Sequence, residues 1–273
     1  EGKTATGWGE TPLSVPWAWP SRLDYKTRED AFKTFCRRLA GAWSKLDAVG
    51  HAMEVGHTFQ QQRLDDLHKT FSESLSHEPM PHLAALIACS AFDIALHDAY
   101  GIVNDIPTYE TYNSKYMNAD LATYLVDAKG KTDRFAGKYP QDFFLSEPSK
   151  QMPAWHLVGG KDMIEPSERT GSEPDDGYPV LLRDWIQRDG LKCLKVKLRG
   201  NDGEWDYERL VRVGQIAIEE GVDWLTADFN CLVTDPAYVN NILDELMHES
   251  PRIYGMILYV EQPFPYDLEA NQI

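Results

Sequence analysis

After residue 180 the chain alternates between two rhythms. Leu210, Val213, Ile216 and Ala217, then Val239, Ile242, Leu243 and Leu246, recur at three and four residues, the spacing of one helical face. Helices are predicted over about 179–189, 205–220 and 235–248. Between them stand short, mostly apolar runs: LKCLKVKL (191–198), DWLTADFN (223–230) and GMILYVEQPF (255–264). Short, mostly apolar runs of that length predict strands of a parallel sheet covered by helices. Strands alternating with helices imply βαβ units with right-handed crossovers, a signature shared by open doubly wound sheets and (β/α)8 barrels.

The first half reads differently. Phe32, Phe35, Leu39, Trp43 and Leu46 predict a helix over about 28–49, with a second near 60–71. A third runs from about Pro81 to Tyr100 and mixes Leu, Ile and Phe with Ala, Ser and Cys, as a helix in tight contact with others would. Gly101 supplies its stop. Residues 1–20, rich in Gly, Pro and Trp, read as strand and turn. From 102 to 180 the pattern weakens. That segment reads as a long connection or insertion around one short strand, MPAWHLVGG (152–160), with EPSERTGSEPDDGYP (165–179) its most loop-like part.

Composition narrows the partners. The 273 residues carry a net charge of −16, a surface that repels phosphate backbones, so no nucleic acid is expected. No membrane is expected either, because the longest apolar candidate, HLAALIACSAFDIALHDAYG, is interrupted by Asp93, His97 and Asp98. Cys36, Cys89, Cys193 and Cys231 lie far apart, without CxxC spacing. They read as reduced core thiols, and with no signal-like pattern in EGKTATGWGE the expected compartment is the cytoplasm.

Candidate chemistry gathers at the strand ends. Lys195 and Lys197 are two residues apart, so a strand points both ammonium groups to one face. The next strand ends in Asp228, followed by Asn230, and the third ends in Glu261. Parallel strands bring their carboxyl ends to one side, so two lysines and two carboxylates converge there. Carboxylates from separate strands suit a hard cation such as Mg²⁺. A lysine beside another cation has a lowered pKa and becomes a base able to take the weakly acidic proton α to a carboxylate. Taken singly, K-x-K reads as an exposed strand face, Asp228 as a helix cap and EQP as a strand terminator. The order and spacing of all three motifs favour the joint reading.

LKVKL, TADFN and VEQPF, in this order, resemble the enolase superfamily in its mandelate racemase and muconate lactonizing enzyme branch. GWGETPLS resembles the end of that family's N-terminal capping sheet, ACSAFDIALHDAYG its cap helix, and MPAWHLVGG its first barrel strand. The resemblance implies a (β/α)8-type barrel, incomplete in this chain. An α+β capping domain is expected at 1–150, with an insertion at about 102–150, and the first half of the barrel at 151–273. It implies Lys197 as general acid/base, Lys195 against the substrate carboxylate or enolate, Asp228 and Glu261 as Mg²⁺ ligands, and Asn230 in support. A small-molecule carboxylate substrate and a homo-oligomer are expected. The K-x-K pair favours racemase, epimerase or cycloisomerase chemistry over acid-sugar dehydration. The third metal ligand and second acid/base of the family would fall beyond Ile273, so which of these reactions applies is left open.

Two other readings remain: a Schiff-base lysine aldolase using Lys195 or Lys197, and a non-catalytic barrel that binds a ligand. His156, on the first barrel strand, is a candidate for the pocket lining or for a packing role. His97, Glu10 and the Trp8, Trp17 and Trp19 cluster read as structural. Ser14 and Ser90 lack a base at recognisable spacing. VGGKD (158–162) lacks the spacing of a phosphate-binding loop.

Overall fold

Phe32, Phe35 and Leu39, three and four residues apart, are fully buried. They mark the core of the first of two units into which the chain divides, Glu1–Pro148 and Ser149–Ile273. The structure is a computed structural model and describes residues 2–265. The first unit contains α1 (Val15–Ala18), α2 (Tyr25–Trp43), α3 (Ala52–Phe59), α4 (Asp65–Glu73) and α5 (His82–Asn104). A π-helical turn, Gln60–Leu64, joins α3 to α4 without a break. Asp24 caps α2 by accepting from Thr27 N at 2.9 Å. Phe35 meets Phe71 at 5.1 Å between ring centres, and Trp43 stacks on Phe59 at 3.9 Å.

No strand occurs among the described residues of this unit, so the expected α+β capping domain is corrected to a helical one. GWGETPLS has no regular secondary structure and no sheet partner among the described residues. It lies flat on α5, where a Cβ on Gly7 would stand 1.9 Å from Ala95 O and one on Gly9 2.0 Å from Ala91 O. The glycines are there for that contact. α5 takes in 102–104, and residues 105–148 contain three short 3₁₀ turns, Thr108–Thr111, Leu121–Thr123 and Pro140–Phe143. Glu54 fastens this segment by accepting from Asn118 N (2.5 Å), Asn118 Nδ2 (2.7 Å) and Ala119 N (2.9 Å). At 23 residues α5 is long and apolar enough to cross a membrane by length and composition alone, a test that core helices also pass.

His51 is the fully buried N-cap of α3. Its Nδ1 accepts from Met53 N at 3.1 Å, so the proton sits on Nε2 and is donated to Thr111 Oγ1 at 2.8 Å. Burial, helped by the nearby His97, pushes its pKa down to about 4. A histidine held neutral in the fold contributes stability that is present above its unfolded value and lost as pH falls toward the folded one. Between pH 7 and 4.5 the loss is about 2 kcal/mol. Urea midpoints across that range should fall steeply, and His51→Asn, which can cap but not titrate there, should flatten the slope.

The second unit alternates as its pattern predicts: β1 (Trp155–Val158), α6 (Leu182–Asp189), β2 (Cys193–Lys197), α7 (Gly203–Glu219), β3 (Trp224–Asp228), α8 (Pro236–Glu249), α9 (Pro251–Met256) and β4 (Ile257–Glu261). The four strands are parallel, in the order β1-β2-β3-β4. Leu194, Val196, Leu225 and Ala227 join Leu210, Val213, Ile216, Ile242 and Leu246 in one core, so these residues define the helix-covered face. The opposite face carries Cys193, Lys195 and Lys197 on β2 and Thr226 and Asp228 on β3, by the alternation of strand side chains.

The (β/α)8-type barrel expected from the sequence is not what the described residues form. They make one open four-stranded sheet with β1 and β4 at its two edges. A βαβ rhythm fixes parallel strands and covering helices, but closure depends on strand number and stagger, which the rhythm does not specify. The sheet is strongly curved. The rings of Trp155 on β1 and Tyr259 on β4 approach to 6.1 Å, although two strands lie between them and a flat sheet would separate those strands by about 14 Å. The lysine-bearing face is therefore concave. On its other side α9 is pinned by Ile253, whose Cγ2 would stand 2.5 Å from a Cβ added at Gly214 of α7. Gly214→Ala should lower the urea midpoint, costing about 1–3 kcal/mol through overpacking.

Candidate functional site

Register places the four predicted residues side by side. Lys197 pairs with Asp228 across β2 and β3, and Asp228 pairs with Glu261 across β3 and β4. Lys195 lies one row deeper, level with Thr226 and Tyr259. The three residues of the upper row are the last residues of their strands, where open parallel sheets place ligands. Sequence spacing suggested convergence; pairing makes it a row.

The charges are arranged as ion pairs. Lys197 Nζ donates to Asp228 Oδ2 at 2.5 Å. Lys195 Nζ lies 2.9 Å from the same Oδ2 and donates to Glu261 Oε1 at 2.5 Å. Asp228 is fully buried, whereas the lysine side chains and Glu261 are each about a quarter exposed. Burial alone would raise the Asp228 pKa. The hydrogen bonds from Lys197, Asn230 N and Lys195 outweigh it and hold the carboxyl below its usual range. Burial would likewise depress Lys195, but its bonds to Glu261 and Asp228 win and the net shift is upward. The expected mutual lowering of a lysine by its neighbour thus gives way, at Lys195, to pairing with two carboxylates.

The loops that follow the strands lock this row. Asn230 N donates to Asp228 Oδ1 at 2.9 Å, and Asn230 Nδ2 reaches back to Leu198 O at 2.7 Å. Asn230, Cys231 and Gln262 all have left-handed backbone, φ 57°, 59° and 41°. Strained non-glycine conformations of this kind gather where a site over-determines its backbone. Cys231 N donates to Gln262 O at 2.7 Å and Val233 N to Pro263 O at 2.9 Å, which ties the two loops together.

Asp228 Oδ2 and Glu261 Oε1 converge on one positively charged point, the Lys195 ammonium. Two hard carboxylate oxygens from adjacent strands are the donor type that a divalent cation such as Mg²⁺ takes, with water and substrate completing the shell, but here the Lys195 ammonium occupies the point between them and a metal would have to displace it. Among the described residues no group of three or more His, Cys, Asp or Glu side chains converges, so Asp228 and Glu261 would be the protein's share.

His156 lies elsewhere. It pairs with Leu194 and so points to the helix-covered side, against Trp185 at 5.4 Å between ring centres. There it lines a cavity of about 450 Å³ with Met163, Thr170 and Glu173, separate from the lysine row. Burial lowers its pKa. His97, read as structural, lines a cavity of about 380 Å³ in the first unit, where Tyr112 Oη meets its Nδ1 at 2.7 Å.

Two residues near the row escaped the sequence reading. Thr226, level with Lys195, is fully buried, and its hydroxyl has no hydrogen-bond partner among the described residues. Its parity with Asp228 in TADFN was the available signal. Asp206, also fully buried, accepts from Arg199 N (2.6 Å), Gly200 N (2.8 Å) and Tyr238 Oη (2.7 Å), and so fixes the turn that follows Lys197. An aspartate just inside a helix start gave little warning of that role.

No protein-family model, no curated protein and no solved structure matches the chain.

Proposed function

We propose that this protein is an enzyme that removes the proton α to the carboxylate of a small molecule and returns a proton to the resulting enolate. That is the chemistry of an isomerase or lyase of the racemase, epimerase or cycloisomerase kind, and it follows the resemblance to the enolase superfamily. The observation that carries the reading is the row itself: two lysines and two carboxylates on the concave face, at the carboxyl ends of three adjacent strands.

Lys197 is the acid/base. Its Nζ is at the rim of the row and about a quarter exposed, so a substrate carbon can approach it. In the resting arrangement its Nζ donates to Asp228 Oδ2, as the acid form of the pair would. To act as base it first releases that proton to solvent; the neutral Nζ lone pair then takes the α-proton, the C–H electrons move into the carboxylate as an enolate, and the ammonium so formed later returns a proton to carbon. Lys195, held charged by Glu261 and Asp228, lies against the substrate carboxylate and stabilises the charge that grows on its oxygens. A divalent cation such as Mg²⁺ on Asp228 and Glu261 would take the place of their bonds to Lys195, free that ammonium for the substrate, and supply further neutralisation of charge on the same substrate oxygens. Asn230 keeps Asp228 aimed.

A Schiff-base lysine needs a neutral amine; the upward shift of Lys195, held by Glu261 and Asp228, opposes that role there and leaves Lys197 as the nucleophile the aldolase reading would use. The test is ¹H NMR in D₂O with Mg²⁺ and a panel of α-hydroxy and α-aryl carboxylates. At least one should lose its α-proton signal, and EDTA should stop the loss. Exchange that survives EDTA, together with borohydride trapping of a substrate on lysine, would overturn the reading in favour of the aldolase.

A further inference from the structure

Beyond the carboxylate at the lysine row, we infer that the substrate carries a second anionic group, a carboxylate or a phosphate, seated between Lys161 and Arg199. The inference rests on the proposed role of Lys195 and Lys197 for the near end of the substrate. A cavity of about 500 Å³ opens directly from Lys197 at the carboxyl ends of β1, β2 and β3. Three cations line it, Lys161, Lys197 and Arg199, with Asn201, Asn230 and Trp205 beside them.

No Asp or Glu lines this cavity, in a chain whose net charge is −16. Asp228 and Asp202, outside the lining, offset Lys197 and Arg199, so Lys161 supplies the net positive charge and all three present donors to an anion in the cavity. Lys161 is exposed and has no ion-pair partner among the described residues. Arg199 is fixed in place: its guanidinium lies over the Trp205 ring, 4.0 Å from the centroid, and Nη1 donates to Asp202 at 3.0 Å. The turn that carries it is clamped by Asp206 through Arg199 N and Gly200 N. Arg199 keeps further guanidinium donors beyond its single bond to Asp202, and Asn201 adds an amide. Lys197 stands at the boundary, shared by the row and the cavity, so a ligand with one anion at the row places its other end among Lys161, Arg199 and Asn201.

Calorimetric titration of the full chain in Mg²⁺ buffer tests this without any turnover. The probes are valerate, glutarate and 3-phosphonopropionate, similar in length but carrying one or two anionic ends. At least one dianion should bind about tenfold more tightly than valerate, and the preference should shrink as salt is added. Lys161→Ala should cut the preference about threefold, and Lys161→Ala with Arg199→Ala should bring it near parity. Lys161→Arg should restore it. Whichever dianion wins names the distal group. Equal affinities in the wild type, no saturable dianion binding, or a preference that persists in the double variant would overturn the inference. If the preference holds but no carboxylate exchanges its α-proton, the catalytic reading falls and the anion subsite stands.

Discussion

Asp228→Ala should destabilise the second unit by about 3 kcal/mol and abolish α-proton exchange. The side chain is fully buried and accepts from Lys197 Nζ, Lys195 Nζ and Asn230 N. Its removal leaves two ammonium groups with Glu261 alone. Removing one partner of a buried pair costs more than the pair contributes, because the remaining charge stays desolvated. The figure sits at the low end of such losses because both lysines are about a quarter exposed and water can reach them.

Asp228→Asn separates the two effects. The amide oxygen still accepts from Asn230 N, so most stability should return, while the charge that holds both lysines is gone and exchange stays lost. The sign with pH is set by the lowered Asp228 pKa. Its contribution is complete above the ordinary carboxylate range and disappears as pH falls through the folded value, so the wild type and Asp228→Asn should converge in stability in strong acid. Urea unfolding followed by circular dichroism reads both variants. An Asp228→Ala protein as stable as the wild type would mean that the row is a solvated surface.

Much of the second unit was written in its periodicity. Leu210, Val213 and Ile216 bury as their spacing predicts, and LKCLKVKL supplies β2 at Cys193–Lys197. The short helix α9 was missed because Pro251–Met256 runs straight into β4, and GMILYV read as one continuous strand. Closure into a barrel was over-read, since four strands and their helices look locally alike in either architecture. In the first unit GWGETPLS has strand-like composition, but its glycines serve contact with α5 rather than pairing. The helix expected near 60–71 belongs to a longer rod from Ala52 to Glu73. Its start depends on the His51 cap, and histidine is a weak cap signal in a sequence.

That the two lysines and two carboxylates gather at one face was legible; their pairing was not. Alternation sends Lys195 and Lys197 to one face whatever the register. That Lys197 stands opposite Asp228, and Asp228 opposite Glu261, depends on loop lengths and strand stagger, which residue types do not reveal. The lysine pair therefore read as a clash of like charges, when each ammonium has a carboxylate within 2.5 Å. Lys161 and Arg199 were invisible as a pair because they approach one cavity from the ends of different strands, 38 residues apart in the chain.

The most direct measurement is α-proton exchange with the base removed. Wild-type protein in D₂O with Mg²⁺ and the exchanging carboxylate should replace the α-proton by deuterium, followed by ¹H NMR. Lys197→Ala should slow exchange on its face of the substrate by about a hundredfold or more, the usual worth of a positioned general base. Circular dichroism should stay unchanged, since Asp228 keeps Lys195 as its counter-ion. Exchange by Lys197→Ala at the wild-type rate would contradict the assignment of Lys197, and with it the reading of the row as an acid–base site.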